Sequence, residues 1–227
     1  MTEVENAFMT IQKKESLDQL IKRLGEDLTP VEPLVPAGRR AAYWLMGMLC
    51  AGTALVYFMT GNPVHVIESM NIHDQVLLVA KVATGMLGVI AAFQLNVPGH
   101  KKIWDWLPLV PALIWLAMAG EACLSLPKMP FTDGSPLHYA ECFGFVVGLG
   151  LPLSAALFWS LRHGYALEPR RTLFFGIMGI AGLVGAVMHC FHTQDGTVLD
   201  MLSHTAAICL LIGFGLFKAR SVDFLVH

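Results

Sequence analysis

With 227 residues, 55% of them hydrophobic and only 14% charged, the chain is too apolar for a soluble domain and too short for two domains. The net charge is -2, the basic residues are sorted among loops rather than gathered in a patch, and there is no P-loop, no G-x-S-x-G and no basic aromatic face. Nucleotide binding, nucleophilic catalysis and direct DNA contact are therefore not expected, and one integral membrane unit is.

The first forty residues carry charges throughout and no apolar core, unlike a cleaved signal peptide, so they are expected to stay in the mature protein. Within them, "ESLDQLIKRLGEDLTP" places Leu17, Leu20, Ile21, Leu24 and Leu28 on one helical stripe, with Asp18, Lys22, Arg23 and Glu26 off it. This predicts an amphipathic helix over about residues 15–29, opened by a Ser16 to Gln19 capping box. Pro30, Pro33 and Pro36 then stop the helix and form an extended connector to Arg39 and Arg40, which mark the bilayer edge. One such helix cannot bury its apolar stripe alone, so it must lie on the membrane, pack on the rest of the chain or bind a partner. The acidic residues on its polar face make the membrane surface the least attractive of the three.

Six apolar runs follow, near Ala41 to Thr60, Val76 to Leu95, Trp106 to Leu126, Ala140 to Trp159, Leu173 to Met188 and Val198 to Phe217, each approaching the roughly 20 residues a spanning helix requires. Backbone amides in lipid must pair internally, and the sequence lacks the alternating ten-residue segments of a barrel, so the expected fold is an all-α bundle of six transmembrane helices. The expected division is residues 1–40 as a cytoplasmic segment, 41–217 as the bundle and 218–227 as a short cytoplasmic tail. In the fourth span, Pro152 after Gly148 and Gly150 removes a backbone donor and is read chiefly as a packing feature. The fifth carries Gly176, Gly179, Gly182 and Gly185, a small-residue face that lets neighbours approach closely and suggests a central position.

Lys and Arg sort by loop. The N-terminal segment holds Lys13, Lys14, Lys22, Arg23, Arg39 and Arg40, the second loop Lys101 and Lys102, the fourth Arg162, Arg170 and Arg171, and the tail Lys218 and Arg220. The first, third and fifth loops hold only Lys128, so the positive-inside rule puts both termini in the cytoplasm. Polar residues of the spans gather toward the opposite, outer side: Lys81, Glu121, Glu141, Asp200 and His204. Charged groups at membrane depth cost on the order of 3 kcal/mol and find partners, and Lys81 with Glu121 is the expected pair, either as a functional couple or as an ion pair fixing helix packing. Cys123, Cys142 and Cys190 also fall near the outer ends, and with His189, His192 and His204 they supply ligand types that suit zinc, copper or similar ions. His189 and Cys190 are adjacent and leave a helix end in different directions, and a single histidine at that level is equally a polar residue in the headgroup zone.

The chain resembles the NrsF-type membrane anti-sigma factors through "LDQLIKRLGEDLTPVEPL" and "RRAAYWL" at its start, Lys81 in the second span, Cys142 opening the fourth, "SLRHG" after it and "HC" closing the fifth. The resemblance implies a bacterial inner-membrane protein whose N-terminal segment, through Leu17, Leu20, Ile21, Leu24 and Leu28, holds an extracytoplasmic-function sigma factor away from RNA polymerase. It further implies that two outer cysteines, here matching Cys142 and Cys190, receive a stress signal; Cys123, by its position near the same face, is a candidate third participant. The family pattern continues His-Cys with a Pro-Glu-like pair, whereas this chain has Phe191 and His192, and the extra imidazole shifts preference toward a transition-metal ion as the signal. No cofactor is required, and membrane lipid and the sigma factor are the expected partners. Two other classes fit the polar outer tier: a membrane oxidoreductase with haem between His189 and His204, which lacks inner histidine tiers, and a small transporter lined by Lys81, Glu121 and Asp200, which lacks inner polar steps and an inverted repeat.

Overall fold

The computed structural model describes residues 17, 19–26, 35–124, 136–162, 168–191, 206–214 and 217, with 121–124 and 136–142 described as backbone only. Two compact units are present, Met1–Leu34 and Val35–His227. In the first, a short helix α1 (residues 19–26) carries Leu20, Ile21 and Leu24, and these side chains and Leu17 are all exposed. Ser16 and Leu28, the proposed cap and the last residue of the stripe, lie outside the described residues.

The second unit is built from α2 (Ala37–Thr60), α3 (Pro63–Ser69), α4 (Ile72–Leu95), a 3-10 turn (Lys102–Asp105), α5 (Leu109–Leu124), α6 (Pro136–Leu161), α7 (Pro169–His189) and α8 (residues 206–214). There is no strand among the described residues. Among the described residues, five stretches are long and apolar enough to cross a membrane: Ala37–Thr60, Ile72–Leu95, Lys102–Gly120, Phe143–Leu161 and Pro169–His189. Of the sixth expected span, only α8 and Phe217 are described, and both are helical. α6 runs through Pro152 as one continuous helix.

Local chemistry sets the helix ends. The Pro36 carbonyl accepts from the backbone N–H groups of Arg39 and Arg40 at 2.9 and 3.1 Å, which starts α2 with both arginines in its first turn. Gly61, at φ 73, closes α2 in the left-handed conformation that glycine adopts without steric cost. The unexpected helix α3 is nucleated by Asn62, whose side chain accepts from the N–H groups of Val64 and His65, with Pro63 at the first helical position. Asn71 caps α4 by accepting from Asp74 N–H at 2.9 Å, so the helix starts at Ile72 rather than at Val76, where the expected apolar run begins. At α5 the start moves the other way, from Trp106 to Leu109, with Pro108 before it and Pro111 confined to its first turn.

α7 forms the centre: 78% of its apolar stretch is buried, against 11% for α2. It runs antiparallel to α4 along a glycine seam. A Cβ placed on Gly179 would lie 2.7 Å from the Val89 nitrogen, one on Gly182 2.7 Å from the Lys81 carbonyl oxygen, and one on Gly88 2.8 Å from the Gly179 Cα. Such backbone-to-backbone approach is open only to residues without side chains. Phe93, Val89, Ile180 and Leu157 fill the space beside the seam, and Leu211 of α8 packs where Gly150 of α6 leaves room. The outward faces are apolar, with Phe58 84% and Ile72 75% exposed, surfaces that suit lipid rather than water.

Candidate functional site

Helix direction gives the second unit two chemically distinct ends. The starts of α2 and α7 and the ends of α4 and α6 share one, and it carries Arg39, Arg40, Lys101, Lys102, Arg162, Arg170 and Arg171. The opposite end, where α4 begins and α7 finishes, holds a buried cluster around Lys81.

Lys81 lies well inside α4, nine residues after Ile72, but side chains on a helix lean toward its N-terminus. Its Nζ thereby comes to 3.4 Å from His189 Nδ1. On the other side of the ring, His189 Nε2 lies 3.2 Å from the backbone carbonyl oxygen of Asp74. These partners define the tautomer: an ammonium can only donate and a carbonyl can only accept, so His189 is a neutral imidazole with its proton on Nε2. Both ring nitrogens are engaged, and a metal ion taking Nδ1 would have to displace Lys81.

Asp74 completes the cluster, and sequence reasoning missed it. It is only 2% exposed, and its Oδ1 is buried with no hydrogen-bond partner among the described residues. The available signal was "NIHD", an Asn cap with an acidic residue three positions on, a pattern that ordinarily describes a solvated helix start. Here the end of α7 covers that start.

Cys190 follows His189 but takes a different partner, its Sγ donating to the Ala186 carbonyl at 3.5 Å. It is a half-buried free thiol. Burial pushes its pKa up, and the Lys81 ammonium acts in the opposite direction. Phe191 meets Phe145 of α6 edge to face, with ring centroids 5.9 Å apart and planes at 80°. Cys142 lies three residues before Phe145, one turn earlier in the same helix, so the contact brings the cysteine-bearing first turns of α6 toward the end of α7 that carries Cys190.

Glu121 and Cys123 lie in the last turn of α5, at this same end, but their side chains are outside the described residues, as is that of Cys142. The expected Lys81 to Glu121 pair therefore falls outside them too, while the described partner of Lys81 is His189. His192, Asp200 and His204 are likewise outside. Among the described residues, no three His, Cys, Asp or Glu side chains converge as a metal cage.

Comparison with known proteins adds one finding. The model of the family described as NrsF, negative regulator of sigma F, matches residues 24–222. That range covers α2 to α8, with the whole Lys81 cluster and the glycine seam, and leaves Leu17, Leu20 and Ile21 ahead of it. Searches of curated proteins and of solved structures returned no match. A match over most of the length, through every helix that builds the cluster, makes the chain a member of the NrsF family, the negative regulators of sigma F.

Proposed function

We propose that the chain is a multi-pass inner-membrane anti-sigma factor that captures an extracytoplasmic-function sigma factor through its N-terminal helix and releases it in response to chemistry at the Lys81 end. The observation that carries the reading is α1. Leu17, Leu20, Ile21 and Leu24 are each between 52% and 60% exposed in a unit of their own, on a chain whose family is defined by regulating a sigma factor. An apolar stripe on a helix of about two turns does not stay ordered without a partner, and a helical groove on a protein is the surface that fits it.

The positive-inside rule assigns the arginine-rich end of the bundle to the cytoplasm. With that orientation α1 meets the cytoplasmic sigma factor, and Cys142, Cys190 and Cys123 face the outer compartment. Oxidation of Cys142 and Cys190, or capture of a transition-metal ion by Cys190 with His189, His192 and His204, would draw the ends of α6 and α7 into a new arrangement. Two features of this end support sensing there. The Phe145 to Phe191 contact couples the two helices beside the cysteines. Burial raises the Cys190 pKa, and the neighbouring Lys81 ammonium offsets part of that rise, so the thiolate is more accessible than burial alone would leave it.

The test is a detergent pull-down of the full chain from its own cells beside a version lacking Met1 to Pro36, with bound proteins identified by mass spectrometry. A sigma factor present only with the intact N-terminus is the expected result. A folded sample that brings down no sigma factor would refute the proposal.

A further inference from the structure

At the arginine-rich end, the last turn of α6 finishes against its neighbours instead of in water. A helix leaves its final four carbonyls without intrahelical partners, and side chains from two other helices take two of them here. Arg40, in the first turn of α2, donates through Nη2 to the Ser160 carbonyl. Asn96, the residue capping the C-terminus of α4, donates through Nδ2 to the Leu161 carbonyl at 2.8 Å. The Arg40 guanidinium also lies over the Phe93 ring, 5.3 Å from its centroid. Phe93 and Asn96 are 0% and 2% exposed, so the clamp is sealed from below, whereas the neighbouring Arg39 is exposed and makes no such bridge. Only arginine can place a planar cation flat on an aromatic ring while aiming a donor sideways at a carbonyl.

The position of this clamp gives it a role. α6 is continuous from Pro136 to Leu161, and Ser160 lies 18 residues beyond Cys142, about 27 Å along the axis. At the α2 side, the Arg40 backbone is tied to the Pro36 carbonyl, where the proline connector from α1 ends. We infer that Arg40 is a positioning residue that ties the root of the N-terminal segment to the far end of the cysteine-bearing helix, so that movement of α6 changes how the segment is presented. This rests on the anti-sigma reading. When α6 shifts along or about its axis, the Ser160 carbonyl leaves the guanidinium and the first turn of α2, from which the segment departs, loses its anchor.

The test uses the full chain in its own cells. Transcripts that rise when Met1 to Pro36 are deleted define the regulated set, read by RNA sequencing, and each variant is expressed to the wild-type membrane amount. Arg40→Ala is expected to raise those transcripts at least fivefold without stress, Asn96→Ala to raise them in the same direction, Arg40→Lys to fall between, and Arg39→Ala to leave them unchanged. A merely structural role predicts that repression returns once the amount in the membrane is matched. Wild-type transcript levels in Arg40→Ala at matched amount would overturn the inference. If Arg40→Ala does not accumulate, Arg40→Lys and Asn96→Ala decide by the same criterion. Failure of the underlying reading looks different, because deletion of Met1 to Pro36 would then raise no transcripts at all.

Discussion

Substitution of Gly179 by alanine isolates the packing on which the Lys81 cluster depends. The added Cβ would sit 2.7 Å from the Val89 nitrogen, 3.0 Å from the Gly85 carbonyl oxygen and 3.1 Å from the Gly88 carbonyl carbon. All three are backbone atoms of α4, so no side chain can rotate away, and α7 must separate from α4 by roughly 0.8 Å to restore ordinary van der Waals distances near 3.5 Å. Overpacking of this kind costs about 1–3 kcal/mol, and contact with rigid backbone puts it at about 3. The better helix propensity of alanine offsets about 1 kcal/mol. A net loss of about 2 kcal/mol remains, roughly thirtyfold in the folded to unfolded ratio. Gly47 provides the control, because a Cβ there meets nothing within 4 Å. Unfolding in mixed detergent micelles, followed by circular dichroism, should show Gly179→Ala less stable than wild type and Gly47→Ala unchanged or more stable. Equal stability of Gly179→Ala and wild type would refute the seam as described.

Leu20→Asp together with Leu24→Asp removes the apolar stripe of α1 without touching the second unit, so sigma-factor capture should fall at least tenfold while detergent stability is unchanged, measured by pull-down and circular dichroism. Cys142→Ser with Cys190→Ser should abolish induction of the regulated transcripts by diamide or copper and leave capture intact. Half-buried Cys190 holds its proton more tightly than an unfolded thiol, so its reaction with N-ethylmaleimide should keep rising above the ordinary thiol range, and its contribution to stability is full below that range and lost as pH climbs from there through its raised folded pKa. Removing the ammonium in Lys81→Met should slow that labelling several-fold at pH 8, read by mass shift.

The helical class and five helices long and apolar enough to span were legible because each apolar run is long and holds at most one charged residue, and the central place of α7 followed from glycines recurring every third residue from Gly176. Which helix faces that stripe was not legible. Gly85 and Gly88 sit inside an ordinary apolar run, and only the antiparallel approach of α7 shows them to be its other half. Asp74 was passed over for a related reason: a capped helix start reads as solvated until another element covers it, and that covering is tertiary. Arg40 was read with Arg39 as a bilayer-edge charge, yet the two differ in role because the helical turn between them directs one to Ser160 and leaves the other exposed. Lys81 was singled out as a group needing a partner, and His189 lies 3.4 Å from its Nζ. Periodicity alone could not name the partner, since His189 is 108 residues away along the chain.

In the proposed mechanism the N-terminal segment, and not the bundle, carries the sigma-factor contact. The most direct measurement is the affinity of the purified sigma factor recovered in the pull-down for the chain reconstituted in lipid nanodiscs, compared among wild type, Leu20→Asp with Leu24→Asp, and a chain lacking Met1 to Pro36. Saturable binding to wild type is expected, with binding at least tenfold weaker to the double variant and none to the truncated chain. Undiminished binding to the truncated chain would contradict the proposed mechanism.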